Sequence, residues 1–386
     1  MKSLLKIPLL VAVATMMTCS FSACSDNDDP TPDTGTSETD AKFEAIAKQY
    51  LDHTVYVTYK NLADETEQLV KDLQALKSSK TDANVKATCE TFLEARAWWE
   101  KSEAFLYGAA TDFGIDPHID SWPLDLDGLQ TALKNTEQVE AMGGEDGDIY
   151  AGEKLGNSLL GFHGIEYILF EDGSPKSVSK ISDLHLTYAV AVAGDLRNRC
   201  WQLELSWRGE SAVNADRVAK VANELELPYT VNSGEYSYGE NMLNAGKAGS
   251  TYASWTLAMQ AIADEVGTSK IGKPYSGEDP AYIESPYSHK SILDFYDNII
   301  SIQNAYMGGI ENERDETNSL HNYIAGVDKE LDTKVVNAIN NALTKINAMA
   351  APFVNNIKDP SAGEAIKACQ DLDAILSDVK TALRNN

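Results

Sequence analysis

In the stretch GFHGIEYILF (161–170), His163 and Glu166 stand three positions apart inside an otherwise apolar run. On a helix, positions i and i+3 share a face, so an imidazole and a carboxylate can be presented to one point. Neutral imidazole and carboxylate are ligands for zinc, iron and similar divalent ions. The same pair without an ion is a core histidine bonded to an acid, and the spacing alone does not separate the two. Three further stretches offer oxygen. WWEKSEAFLYG (98–108) predicts Glu100 and Glu103 at i, i+3, with Tyr107 one turn further on a helix that Trp98 and Trp99 draw inward; the plainer reading is a solvated face with Arg96 paired to Glu100. GIDPHIDSWPLD (114–125) is an irregular connection bearing Asp116, His118 and Asp120; such loops often carry function, though an Asp there can equally cap a helix. IESPYSHKSILDFYDNIISIQNAYMG (283–308) places Asp294 and Asn298 at i, i+4 behind a Ser-rich turn. Asn is a poor interior helix former, which suits a buried polar role.

One histidine with several carboxylates suits a harder cation: Fe(III), Fe(II) and Mn foremost, then Ca, with Zn also open. Hydrolysis at such a centre needs an open position for water and a carboxylate base. The H-E-x-x-H string of helix-borne zinc proteases does not occur. H-x-x-E would therefore need a distant third histidine, His289 or His185, with Glu103 as base. A metallopeptidase is thus one alternative to metal capture, and a surface module for another ligand, such as haem or a glycan-bearing partner, is a second. Neither a c-type haem attachment motif nor a phosphate-binding loop is present. His53 lies in register with Ile46, Tyr50 and Val57 and reads as a packed core residue. His185 and His321 read as ordinary helix residues, and Trp98 and Trp99 as packing.

These side chains need a scaffold of helices. No proline occurs between Asp33 and Asp116, between Leu124 and Ser174, or between Tyr287 and Ala351; an interior proline would cost a helix about 3 kcal/mol. Apolar residues inside these windows recur at helical spacing, as in Leu331, Val335, Ile339, Leu343 and Ile346. TVYVTYK (54–60) is the one stretch that could be a strand. The prediction is an all-α protein with helices near 41–78, 82–107, 127–140, 152–171, 178–208, 211–225, 238–266, 289–308, 317–325, 328–357 and 361–384. Lone helices must pack, so antiparallel bundles are expected, with an N-terminal bundle over 41–210 and a C-terminal one over 211–386. Matching endings, FLYG at 105–108 and AYMG at 305–308, point to an internal duplication.

The N-terminus reads as an address. Lys2 and Lys6 precede a short apolar run and FSAC, the pattern of a secretory signal peptide over 1–23 with cleavage before a lipidated Cys24. Residues 24–40, acidic and rich in Pro, Thr and Ser, read as a disordered tether. The net charge of −27 excludes nucleic acid as a partner, because phosphates need cationic neutralisation, and it attracts cations. Cys89, Cys200 and Cys369 sit among apolar residues at helical spacing, which predicts buried free thiols rather than a disulfide framework or a thiolate site.

Taken together, GFHGIE, the W-x-x-S-E-x-x-x-Y-G pattern of Trp99, Ser102, Glu103, Tyr107 and Gly108, IDSWP at 119–123, ESPYS at 284–288, Asp294, Asn298 and NAYMG resemble the imelysin-like proteins, also catalogued as M75 peptidases. The resemblance covers most of residues 45–310. It implies two similar four-helix bundles with a polar site near their interface, and a role in bacterial iron uptake as lipid-anchored or periplasmic metal-binding proteins. Residue by residue it implies His163, Glu166, Glu103 and Asp120 as metal ligands. Asp294 and Asn298 would come from the second half, and Glu100, Ser102, Tyr107 and Ser288 would be part of the functional site. The turn Tyr287-Ser288-His289-Lys290 departs from the more acidic one of many members. Expected partners are the membrane, through the anchor, and iron-transport components, at the cell envelope.

Overall fold

Leu62, Leu69, Val70, Leu73 and Leu76 recur along one helical face and are all buried, and this pattern of an apolar stripe per helix builds the whole molecule. The computed structural model describes residues 38–231, 233–244 and 248–384. The signal peptide, Cys24 and nearly all of the tether lie outside them. Helix α1 (Glu38–Tyr50) passes through a π-helical turn, Leu51–Val55, into α2 (Tyr56–Ser78). Helix α3 (Asp82–Glu100) follows, its first turn capped by Thr81, whose hydroxyl accepts from the Asn84 N–H. Helix α4 (Gly161–Leu169) carries the H-x-x-E pair, and α5 (Asp183–Arg208) is the longest. Further on come α6 (Ala248–Asp264), α7 (Ser291–Met307), α8 (Lys329–Asn347) and α9 (Pro360–Arg384).

The molecule is all-α, with two-residue strands at Phe170–Glu171 and Ser174–Pro175 pairing as a small hairpin. Helix α2 packs on α3 and α5, and α4 closes that ring from the other side. Helices α6, α7, α8 and α9 pack in a second ring. Between the rings, α3 lies against α7 and α1 against α6, and one continuous apolar core joins buried residues from Phe43 to Val379. The α3–α7 seam is where the polar side chains collect.

Several boundaries differ from expectation for local reasons. Residues 54–60 are helical, because Thr58, Tyr59 and Leu62 bury on a helical face that continues from α1. The segment predicted as one helix over 82–107 stops at Glu100. Ser102 then turns back, its hydroxyl donating to the Trp99 carbonyl, and Ser301 on α7 accepts the Ala104 N–H. Glu103 therefore sits in a short 3-10 turn, Glu103–Phe105, and the expected shared face of Glu100, Glu103 and Tyr107 does not exist. The segment predicted over 152–171 is also broken, by extended Leu160 ahead of Gly161, which has φ +64°. The three thiols are free and buried, as expected.

Gly161 explains itself sterically. A Cβ there would stand 1.8 Å from the Ile119 carbonyl oxygen, and φ +64° is a conformation L side chains resist. The glycine thus lets the start of α4 rest on the backbone just before Asp120, which brings His163 to that loop. Gly161→Ala is expected to destabilise the protein by at least about 3 kcal/mol, from strain plus the clash, as read by urea denaturation. A loss within ~0.5 kcal/mol would show that this close approach is not a constraint.

Candidate metal centre

The centre of the site is a cation. Arg96, on the last turns of α3 and only 2 % exposed, reaches three buried carboxylates. Its Nη1 donates to Asp120 Oδ1, its Nη2 donates to Glu284 Oε1 at 2.6 Å, and Glu100 Oε1 stands 2.5 Å from the same Nη2 but off the hydrogen-bonding direction. The guanidinium also faces the Phe162 ring at 5.2 Å. Oxygens of Glu100, Asp120 and Glu284 all lie within 4.8 Å of one another, the one such acidic group of metal-ligating size among the described residues. A second buried cation, Lys270, adds contacts of 3.2 Å to Glu284, 3.6 Å to Glu100 and 3.7 Å to Glu103. Lys270 ends a π-helical turn, Glu265–Lys270, that continues α6; such turns are frequent at functional sites.

Asp120 links this cluster to the H-x-x-E pair. It accepts from Trp99 Nε1 at 2.7 Å through Oδ2, while His163 Nε2 stands 3.1 Å from its Oδ1. The other ring nitrogen of His163 lies 3.5 Å from Glu166 Oε2. Glu166 is itself held: its Oε1 accepts from Tyr287 N at 3.1 Å, Ser288 N at 2.8 Å and Ser288 Oγ at 2.7 Å. That turn is tightly formed, with Ser285 at φ 49° and His289 at φ 58°. His163 therefore bridges two carboxylates from opposite ring nitrogens, and Glu166 and Asp120 are not brought to a common point.

The remaining expected residues divide. Asn298 belongs to the cluster, donating to Glu100 Oε2 at 2.5 Å, and Asp294 is buried on the same helix, its Oδ2 without a hydrogen-bond donor. Glu103 lines an open pocket of about 220 Å³ together with Asp116, Asp120, Glu265 and Lys270. Ser102 holds the turn, and Tyr107 meets Tyr50 at 3.2 Å, hydroxyl to hydroxyl, away from the carboxylates. The other five histidines are engaged elsewhere. His118 pairs with Asp195 at 2.7 Å, His321 with Asp332 at 2.7 Å, His185 completes the capping box of α5, and His289 lies against Gly173. His53, expected in the core, is only half-buried and instead binds the Glu313 carbonyl, because the loop after α7 folds over it.

A family model for imelysin (peptidase M75) matches residues 55–379. The chain belongs to the imelysin family. The iron-regulated protein A of Synechococcus elongatus is 27 % identical over 337 residues, covering 85 % of this chain and 82 % of that one. A crystal structure from Parabacteroides distasonis, described as an iron-regulated protein A precursor, superposes with a TM-score of 0.74 at 28 % identity, over 92 % of this chain and 98 % of the other. An imelysin-like protein from Psychrobacter arcticum shares the fold at a TM-score of 0.63 and 10 % identity, over 87 % and 93 % of the two chains.

In this site the carboxyls outnumber the buried cations, and the surplus shows in their acidities. Burial, opposed by Arg96 and reinforced by Glu284, lifts Glu100 to about 8. Burial lifts Asp116 and Asp294 each to about 7, and raises Glu103 well above the carboxylate range despite Lys270. Asp120 is the opposite case: burial would raise it, but Arg96 and His163 hold it far below. Burial would lower His163, yet Asp120 and Glu166 outweigh it and raise the imidazole to about 9.

Two outcomes follow for metal-free protein. Carboxyls with raised folded values bind more protons folded than unfolded, so they destabilise progressively as pH rises from about 4 to 8. The His163 contribution is complete below its unfolded value and is lost as pH climbs through about 9. The melting temperature should therefore fall steadily between about pH 6 and 9 by calorimetry, and Asp294→Asn should flatten that slope; a temperature that rises over this window would contradict the assignment. Separately, Arg96→Leu should cost about 3–5 kcal/mol by leaving three buried carboxylates without their shared partner, and Arg96→Lys should fall between, keeping charge without the fork. Denaturant titration measures both.

Proposed function

We propose that this protein captures a metal cation, iron foremost, at the acidic pocket beside Asp120, and serves metal uptake or homeostasis as a lipoprotein of the cell envelope. The observation that carries the reading is the buried surplus of carboxyls over cations, opening into a pocket lined by Glu103, Asp116, Asp120 and Glu265. Glu284 Oε2 and Asp294 Oδ2 are buried acceptors that meet no donor, and His163 Nε2 has no aligned partner. Oxygen-rich sites of this kind suit hard cations. Arg96 already fills the hollow between Glu100, Asp120 and Glu284, so the cation is assigned to the pocket side. Glu103 and Asp120 supply oxygens there, His163 stands behind Asp120, and Glu166 sets the ring, as outer partners orient ligands.

The names of the Synechococcus and Parabacteroides relatives, both iron-regulated protein A, favour iron among hard cations. Attachment is assigned to a lipidated Cys24, from the FSAC pattern of the sequence, with delivery to iron-transport components. Capture is favoured over peptide cleavage because none of the other five histidines joins His163.

Iron titration of the chelator-stripped protein, followed by element analysis, tests this directly. Glu103→Gln with Asp116→Asn, and separately His163→Ala with Glu166→Ala, should each weaken iron binding at least about tenfold with the helical circular dichroism retained. Folded variants that bind iron as tightly as the parent would place the site elsewhere. The iron-bound protein should leave a mixed peptide library intact; cleavage abolished by chelator would replace capture with hydrolysis.

A further inference from the structure

The acidic pocket is not isolated. Glu103, Leu106 and Glu265 line it on one side and on the other line a second, larger groove of about 410 Å³. That groove is floored by Leu257, Ala258, Ala261 and Ile262 of α6, with Leu257 47 % exposed. A bare hydrated ion has no use for such a surface, whereas an apolar group placed there leaves water. At the junction sits Glu103. It is 8 % exposed and no hydrogen bond to its carboxyl occurs among the described residues, Lys270 at 3.7 Å being the cation beside it. Because it lines both compartments, Glu103 is placed to meet a ligand spanning them.

Building on the capture of a metal cation at the pocket, we infer that the ligand arrives as a positively charged chelate, a metal ion wrapped in a small organic molecule with an apolar part. The charge complements a pocket in which four carboxyls, Glu103, Asp116, Asp120 and Glu265, face one cation, Lys270, while the apolar part lies along Leu257 and Ala261 in the groove. The two compartments share a wall, so one small molecule reaches both.

The test compares two iron(III) complexes of equal charge, the bis-benzohydroxamate and the bis-acetohydroxamate, with iron(II) alone, by tryptophan fluorescence titration and equilibrium dialysis on the intact protein. The aromatic complex should bind about tenfold tighter than the methyl one, the scale expected for burying a ring. Leu257→Asn with Ala261→Gln, both at exposed positions, should erase that preference while leaving the acetohydroxamate complex bound as before. Equal affinity for both complexes in the parent protein, or a preference that survives the double substitution, overturns the chelate inference and leaves metal capture standing. If neither complex nor iron(II) binds, capture falls as well.

Discussion

A guanidinium buried to 2 % exposure is the constraint from which the site is built. Removing such a charge from water costs several kcal/mol unless its donors are matched. Arg96 offsets that cost at its two terminal nitrogens, its Nε meeting no acceptor, by drawing in carboxylates from three places: Glu100 one turn along its own helix, Asp120 from the loop after the Asp116–Ile119 turn, and Glu284 from 188 residues further on. The fork of Arg can hold separate oxygens at fixed angles, which an ammonium cannot. The pairing therefore fixes more than charge: it pins α3, the Asp120 loop and the approach to α7 to one another.

From that pin the other features follow. Asp120, fixed by Arg96 and Trp99, presents its remaining reach to His163, and Gly161 lets α4 come close enough for the contact. Glu166 then needs its own anchor, supplied by two backbone amides and a hydroxyl of the Tyr287–Ser288 turn. The G-x-H-x-x-E stretch is thus a steric device and a pair of polar contacts facing opposite ways, with Phe162 as a wall for the guanidinium. On the far side, the π turn at Glu265–Lys270 swings Lys270 into the cluster while leaving Glu265 exposed at the pocket.

What was legible in the sequence was what local periodicity carries. Long proline-free apolar stripes announced the helices, and isolated cysteines announced buried thiols. The polar character of His163, Glu166, Asp120, Asp294 and Asn298 was also readable, from charged or amide groups set in apolar surroundings. The end of α3 was not, because the turn that Ser102 makes back onto Trp99 is held by Ser301, 197 residues from Ala104, and WWEKSEAF contains no proline or glycine to announce it. Arg96 looked like an ordinary i, i+4 partner of Glu100, since its other two carboxylates are long-range. Glu284 opened the ESPYS stretch and could have been weighed from that motif. Lys270 carried no signal at all: a lysine in GTSKIGKP reads as a surface residue until tertiary packing buries it.

The acidities of the cluster bear on how a cation could be held and given up. At neutral pH Glu100, Asp116 and Asp294 titrate near the ambient value, pushed there by burial and by neighbouring carboxylates such as Glu284, Asp120 and Glu100. These carboxyls therefore carry protons that a multiply charged cation, coordinating several oxygens at once, can displace, so under the proposed function charge enters the site by exchange rather than by addition. Exchange limits the electrostatic cost to a site that already contains Arg96 and Lys270, and it couples occupancy to pH in one direction: acid favours the protonated, empty pocket and alkali the filled one. The two fixed cations sharpen this. They keep Asp120 ionised as a permanent acceptor, while Asp116 and Asp294, whose acidities burial lifts to about 7, remain exchangeable. A pocket built wholly of ionised acids would bind more tightly but repel itself when empty; one with too many fixed cations would not bind at all.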